Sequence, residues 1–324
     1  MSKLNILITG ASGSIGFPTF VELLASNTYE ITVLLRDSIK NRRKFKRYLN
    51  MINIVWGKIE NLDDVSKAVR GQDIIIHLAA IIPPKAKQDP EYTKLINVIG
   101  TSNLTNAAKN LDQDPKFIYL SSITVYGDRI NNPWISITDP VDLKNDDVYT
   151  RTKIEAEDLI KQSGLEYVIF RLSYCTSPNS LRLDPLVFDV PLKTSIEIID
   201  SRDVALAILH SIERSQVWNN IYNLGGGASC RIIFKDYLDE MFKIIGLGSN
   251  FLPENAFAKS GFHCGFYLSD DTQAVLGFQK HDLNDWYEIV RDWIGFKRHF
   301  VPLVRWFIRK YLLSKSIYYK KQKI

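Results

Sequence analysis

Asn5-Ile-Leu-Ile-Thr-Gly-Ala-Ser-Gly-Ser-Ile-Gly16 runs an apolar strand straight into glycines at 10, 13 and 16. A turn of this kind is where a parallel sheet presents a helix N-terminus to the pyrophosphate of a dinucleotide. Gly10 allows the tight turn, Gly13 lets the backbone approach the phosphates, and Gly16 lets the following helix pack close to the strand. The spacing is G-x-x-G-x-x-G rather than the commoner G-x-G-x-x-G, and glycine turns after strands also hold mononucleotides or no ligand at all. The rest of the chain has to choose among these.

Outward from that turn, apolar runs at Ile31 to Leu35, Ile52 to Trp56, Asp73 to Leu78, Lys116 to Leu120 and Glu166 to Arg171 read as buried strands. Helical patterns fall between most of them, at Phe17 to Ala25, Asp63 to Val69, Glu91 to Lys109 and Tyr149 to Ser163. Such alternation predicts right-handed βαβ units, hence an α/β fold with a Rossmann doubly wound parallel sheet. After Arg171 the rhythm changes: Pro178, Pro185 and Pro191 mark irregular chain, a strand covers Ile196 to Asp200, and a helix covers Asp203 to Arg214. Ile221 to Gly227 reads as a strand ending in a glycine turn, and Phe234 to Ile245 as an amphipathic helix. The expected division is a Rossmann domain over 1–175, rejoined by 196–227. A smaller C-terminal substrate lobe over 176–195 and 228–295 folds over the C-terminal edge of the sheet, and a basic amphipathic tail covers 296–324.

At 324 residues, 45% apolar and 24% charged, the chain can bury the core of one large domain or two lobes. Its three cysteines, Cys175, Cys230 and Cys264, fit neither a disulfide framework nor a zinc pattern, so no metal site and a reducing cytoplasmic compartment are expected. The first strand begins almost at the N-terminus, leaving no room for a signal peptide, and no apolar run approaches the roughly 20 residues of a membrane span. Nine of the 41 Lys and Arg residues, and none of the 36 Asp and Glu, lie from Phe296 onward, leaving 32 basic against 36 acidic side chains before it. The basicity is therefore a property of the tail. A nucleic-acid partner is disfavoured, because a phosphate-tracking surface is written across a domain rather than appended to it.

Tyr149-Thr-Arg-Thr-Lys153 opens a helix, and a spacing of four places phenol and ammonium on one face. A neighbouring ammonium favours tyrosinate, so the Tyr149 pKa is expected to fall toward neutrality and suit the phenol to proton transfer. Upstream, Phe117-Ile-Tyr-Leu-Ser-Ser-Ile-Thr-Val-Tyr-Gly127 is a buried strand ending in hydroxyls at the cleft.

With these in hand the chain resembles the extended short-chain dehydrogenase/reductase family of epimerases and dehydratases, over most of residues 1 to 290. The resemblance rests on ordered motifs: TGASGSIG, His77-Leu-Ala-Ala80, Asn97-Val-Ile-Gly-Thr-Ser-Asn103, SSITVYG, YTRTK and Tyr222-Asn-Leu-Gly-Gly-Gly227. It implies that Ser122 hydrogen-bonds the reacting oxygen, that Tyr149 exchanges the proton, and that Lys153 binds the nicotinamide ribose and lowers the Tyr149 pKa. It also implies cofactor contacts from Gly10, Ser12, Gly13, Ser14, Ile15 and Gly16, and from Leu78, Ala79, Ala80 and Asn97. Asn97 reads chiefly as a tie between helix and strand, His77 as a buried residue satisfying backbone groups, Tyr126 as packing, and the Arg42 to Arg47 cluster as a solvated helix face. Thr124 and Tyr174 are the substrate-side candidates. Thr124 is placed toward Ser122 by strand alternation, and Ser121 on the opposite side.

In NAD enzymes an acidic residue ends the second strand and accepts the adenosine ribose hydroxyls. That position here is Arg36, which suits a 2′-phosphate, so NADP(H) is preferred, with NAD(H) as the alternative and Arg42 or Arg43 as helpers. Asp37 would restore an acid on a shift of one residue. The family's acid after the third strand is missing from Gly57-Lys-Ile59, leaving the adenine contact open.

Dehydratases of the family resemble one another in an Asp-Glu pair after the catalytic hydroxyl, where this chain has Ile123-Thr124. The expected function is therefore an NADP(H)-dependent oxidoreductase acting on a small carbonyl or alcohol substrate such as a keto-sugar. A nucleotide-sugar epimerase is the alternative, and a non-enzymatic NADP(H) sensor the third reading. Where the family has Pro and then Asn after Arg171, this chain has Leu172-Ser-Tyr174. Arg182, Lys193 and Arg202 are either diphosphate contacts or surface charges. In the tail, Pro302 can open a helix with Leu303, Val304, Phe307, Ile308, Tyr311 and Leu312 at helical spacing, and Arg305, Arg309 and Lys310 toward the other flank. Two expectations stand for 302–324: peripheral membrane contact, or docking on the small lobe or a homodimer partner.

Overall fold

Ile6 and Ile8 point to one face of the first strand and Leu7 to the other, and all three are fully buried, so the strand must be covered on both sides. The computed structural model describes residues 3–111, 114–178, 181 and 185–321. Its strands are β1 (Leu4–Thr9), β2 (Tyr29–Leu35), β3 (Asn53–Trp56), β4 (Ile74–His77), β5 (Lys116–Ser122), β6 (Trp134–Ile135), β7 (Tyr167–Leu172), β8 (Tyr174–Thr176), β9 (Ser195–Asp200), β10 (Asn220–Leu224), β11 (Arg231–Ile233) and β12 (Phe266–Tyr267). Its helices are α1 (Gly16–Ala25), α2 (Ile39–Phe45), α3 (Leu62–Val69), α4 (Lys85–Gln88), α5 (Pro90–Lys94), α6 (Gly100–Lys109), α7 (Val148–Lys161), α8 (Ser201–Ile212), α9 (Phe234–Ile244), α10 (Asp270–Leu276), α11 (Leu283–Ile294), α12 (Val301–Leu313) and α13 (Ile317–Lys321).

Seven parallel strands form the main sheet in the order β10-β7-β5-β4-β1-β2-β3. The order reverses between β1 and β4, and a crevice opens beyond the carboxyl ends of strands at such a point. One face packs on α1 and α8, the other on α3, α6 and α7. Strand alternation divides the core accordingly: Ile118 and Leu120 of β5 join the first layer, Phe117 and Tyr119 the second. A separate apolar cluster gathers Phe188, Ile196, Phe234, Phe242, Phe251, Tyr267 and Trp286. Within it β9 pairs with β8 and β11, while β12 pairs with β6. Of the segment 196–227, α8 and β10 therefore join the main sheet, whereas β9 belongs to the second.

Three local readings need correction. The expected helix over Glu91 to Lys109 is α5, a wide π turn at Leu95–Ile99, and then α6. β5 ends at Ser122, and Ile123–Tyr126 is a 3₁₀ turn, so strand alternation does not place Thr124. In the basic cluster Arg42 to Arg47, Arg42, Arg43, Lys46 and Arg47 are exposed as a solvated face requires, but Lys44 is half-buried, on a helix that Ser38 caps and that buries Asn41 and Phe45.

Candidate functional site

The glycine turn joins β1 to α1 at the switch point. Gly10 sits at φ +73°, and a Cβ there would lie 2.6 Å from the Ala79 nitrogen; a Cβ on Gly16 would lie 2.1 Å from the Gly10 carbonyl oxygen. Only glycine lets β1, the end of β4 and α1 converge this closely. Gly13 N–H donates to the Gly10 carbonyl at 2.9 Å, and α1 has no side-chain cap, which leaves N–H groups at its N-terminus available to an anion. Around this turn a groove is walled by Gly10, Ser12 and Gly13, by Leu34 to Arg36, by Gly57, Ile59 and Glu60, and by Leu78 to Ile81. Its position beyond the carboxyl ends of β1, β2 and β4 is where a dinucleotide is held in a sheet of this kind. Glu60 adds a specific observation: its Oε2 is buried on the groove with no hydrogen-bond partner among the described residues, so it calls for a donor.

At the second-strand end, Arg36 is exposed and Nη1 donates to the Tyr92 hydroxyl at 3.4 Å. Asp37 is engaged by Arg42 through two bonds of 2.6 and 2.7 Å, and that pairing holds its carboxyl below the usual range. Arg42 is thereby committed to Asp37 and to the Trp56 ring. Lys44, read from the sequence as part of a solvated face, instead donates to the Ser12 carbonyl at 3.0 Å, with its ammonium 3.8 Å from the Phe17 ring centroid. Burial, then the like charge of Lys40, lowers the Lys44 pKa.

One strand over, the end of β5 and the start of α7 bring together Ser122, Tyr149 and Lys153, all buried. Asp147 caps α7 by accepting from Thr150 N–H at 2.9 Å, which sets where the helix begins and so where Tyr149 points. Ser122 Oγ accepts from Thr124 N–H at 3.3 Å and from Thr124 Oγ1 at 3.1 Å. Lys153 Nζ donates to the Leu120 carbonyl at 2.6 Å and the Tyr119 hydroxyl at 3.1 Å, and lies 5.8 Å from the Tyr149 ring centroid. This corrects the expected titration. Burial pushes the Tyr149 pKa up to about 12, against the Ser122 hydroxyl, which lowers it. Burial brings Lys153 down to about 7, opposed by the charge of Glu157. Desolvation outweighs the mutual effect of phenol and ammonium because Lys153 spends its donors on β5 rather than on Tyr149.

Beneath this cluster lies a buried network that motif reading missed. Arg171 on β7 makes a two-pronged pair with Glu157 on α7, at 3.1 and 2.7 Å. Ser121 Oγ donates to the same carboxylate at 2.5 Å. Arg171 also donates to the Tyr126 hydroxyl, which donates onward to Asn223, so Tyr126 is a hydrogen-bonded link as well as packing. Ser121 faces away from Ser122, as alternation requires, and the network anchors α7 to β5 and β7 directly behind the hydroxyls. Glu157 stands one turn after Lys153, at a spacing that gave no sign of a partner 14 or 36 residues away in another element.

The other candidates settle as follows. Asn97 is buried, accepts from Ile81 N–H, and donates to the Ile81 carbonyl and Thr152 Oγ1, so it shapes the groove lip from behind. His77 bonds the Thr9 and Thr101 hydroxyls rather than backbone groups, and burial, with Lys153 nearby, drops its pKa to about 3. Tyr174 packs against Tyr237, ring centroids 6.4 Å apart. Arg202 is paired with Asp200, and Lys193 is exposed. Arg182 lies outside the described residues.

Comparison with known proteins comes out consistently. A model of the NAD dependent epimerase/dehydratase family matches residues 6–225. A trifunctional UDP-glucose 4,6-dehydratase/UDP-4-keto-6-deoxy-D-glucose 3,5-epimerase/UDP-4-keto-L-rhamnose-reductase of Arabidopsis thaliana is 32% identical over 329 residues, covering 90% of this chain and 48% of its own length. This chain thus spans about half of that plant protein. A putative UDP-glucose 4-epimerase of Methanocaldococcus jannaschii is 27% identical, covering 89% of this chain and 98% of its own. In structure, the UDP-glucuronic acid 4-epimerase of Bacillus cereus, solved with UDP-glucuronic acid and NAD, superposes with a TM-score of 0.72 at 22% identity, over 90% of this chain and 99% of that one.

Proposed function

Because the chain belongs to the NAD dependent epimerase/dehydratase family, of the extended short-chain dehydrogenase/reductase type, we propose that it is an NADP(H)-dependent reductase of a small carbonyl substrate, of keto-sugar type. The observation that carries this reading is the meeting of Ser122, Tyr149 and Lys153, all buried, at the end of β5 and the start of α7; burial raises the Tyr149 pKa, so the phenol holds its proton at neutral pH. Ser122 and Tyr149 would together hydrogen-bond the substrate carbonyl oxygen. As that oxygen gains negative charge, Tyr149 gives up its proton to it while Ser122, steadied by Thr124, continues to donate. Lys153, whose pKa burial lowers to about 7, stands one turn along α7 with Nζ 5.8 Å from the Tyr149 ring centroid. A bound NADPH would supply the hydride from its nicotinamide; the glycine turn and the N-terminus of α1 would hold its pyrophosphate, and Glu60 would accept from the adenine amino group.

NADP(H) rather than NAD(H) is favoured by the pairing of Asp37 with Arg42, which leaves the Arg36 guanidinium as the open charge at the second-strand end. Dehydration is disfavoured because Ile123 is buried in the second core and Thr124 bonds Ser122, so no carboxylate follows the hydroxyl. An epimerase is the second reading, supported by similarity along nearly the whole length of the Methanocaldococcus protein. The test is turnover of nucleotide-linked keto-sugars with NADPH, followed by nicotinamide absorbance. Tyr149→Phe should lower the rate about 10²–10⁴-fold with cofactor binding unchanged. Interconversion of sugars with no net change in absorbance would replace the reductase by the epimerase.

A further inference from the structure

Helix α12 carries two apolar stripes. The inner one, Val301, Ile308, Leu312 and Leu313, packs on the second core. It is locked there by Arg309 Nε donating to the Phe251 carbonyl at 2.9 Å and, just beyond the helix, by Ser316 donating to the Ala256 carbonyl and Tyr318 to Asp189. With that face committed, the opposite one has a fixed outward orientation. Phe300, Leu303, Val304, Phe307 and Tyr311 recur there at helical spacing, with Trp306 alongside, and Leu303 is 80% and Phe307 65% exposed. Single exposed apolar residues are ordinary, but a continuous stripe of large ones marks an interaction surface.

We propose that this outer face of α12 docks on an anionic phospholipid surface. The choice of partner rests on charge. Nine Lys and Arg and no Asp or Glu occupy residues 296–324; Arg305 and Arg309 turn inward to Phe251, and Lys310 and Lys315 stand beside the outer stripe. Lys310 sits 5.3 Å from the Trp306 ring centroid and Lys315 5.1 Å from that of Tyr311, so cations rim the aromatic stripe. Aromatic rings at headgroup depth flanked by ammonium groups are what an interfacial helix presents to acidic lipids, each cation near the surface raising partitioning about fivefold. A second copy of the chain would instead set one basic face against another. Among the described residues no helix is long and apolar enough to cross a membrane, so the helix lies on the surface. Of the two expectations for the tail, the structure shows docking on the small lobe and leaves the opposite face of the helix exposed. None of the stripe residues lines the groove at the glycine turn.

The experiment is co-sedimentation of the full chain at low salt with vesicles of phosphatidylcholine alone or mixed with phosphatidylglycerol. Binding to the mixed vesicles, reduced by raised salt and at least tenfold weaker for the triple variant Leu303→Ser, Trp306→Ser, Phe307→Ser, supports the proposal. The variant should keep the wild-type melting temperature and nicotinamide binding, since its three side chains lie outside both cores. Equal binding to both vesicle types, unaltered binding by the variant, or a concentration-dependent dimer that the variant abolishes without any vesicle binding would each overturn it.

Discussion

Replacing Glu157 by Ala removes the only carboxylate that meets Arg171 among the described residues. The pair is deep, with side-chain exposures of 7% for Arg171 and 2% for Glu157. Burial works against the Arg171 cation, but the bonds and charge of Glu157 outweigh it and raise its pKa. Two charge-assisted bonds are lost with the carboxylate, at roughly 1.5–3 kcal/mol each. That total agrees with the ~3–5 kcal/mol typical of breaking a buried ion pair from one side. Against a stability of about 5–15 kcal/mol this is a large fraction. By contrast, Glu157→Leu with Arg171→Met removes both charges and keeps apolar volume, so the double variant should be more stable than Glu157→Ala by about 2 kcal/mol or more. Urea unfolding, followed by intrinsic fluorescence and by far-ultraviolet circular dichroism to detect any separate transition of the second core, gives the midpoints. A loss below ~1 kcal/mol for Glu157→Ala, or a double variant as unstable as the single one, would refute a buried, interdependent pair.

Two further outcomes follow from the site. Lys153 has its pKa lowered from 10.5 to about 7, so the folded chain binds fewer protons than the unfolded chain between those values, and stability from this group rises with pH across that window. The stability difference between the wild type and Lys153→Met, measured without cofactor, should therefore shift in favour of the wild type from pH 7 to 10; a flat difference would contradict the burial argument. Arg36→Ala should weaken NADPH binding about 10–100-fold, the worth of a charge-assisted contact, and leave NADH binding nearly unchanged. Tighter wild-type binding of NADH than of NADPH, measured by titration calorimetry, would defeat the assignment of a 2′-phosphate contact.

The alternation of apolar runs and the three glycines were sufficient to read the parallel sheet and the turn at its switch point, because both follow from local rules: period, strand burial and a backbone that tolerates no Cβ at Gly10 or Gly16. The positions of Ser122, Tyr149 and Lys153 were legible for the same reason, since Ser122 ends β5 and Tyr149 and Lys153 lie in the first two turns of α7, each within its motif. Their protonation was not. It depends on how much water the assembled layers exclude, and burial reversed the sign expected from the Tyr149-to-Lys153 spacing. Lys44 and the Glu157–Arg171 network likewise have no signature in spacing, because their partners arrive from distant elements, and the burial of Glu60 Oε2 without a partner among the described residues is equally a product of assembly. The tail shows the division most simply. Composition alone made it basic and amphipathic, while only packing against Phe251 and Ala256 decides which stripe is buried and which faces outward.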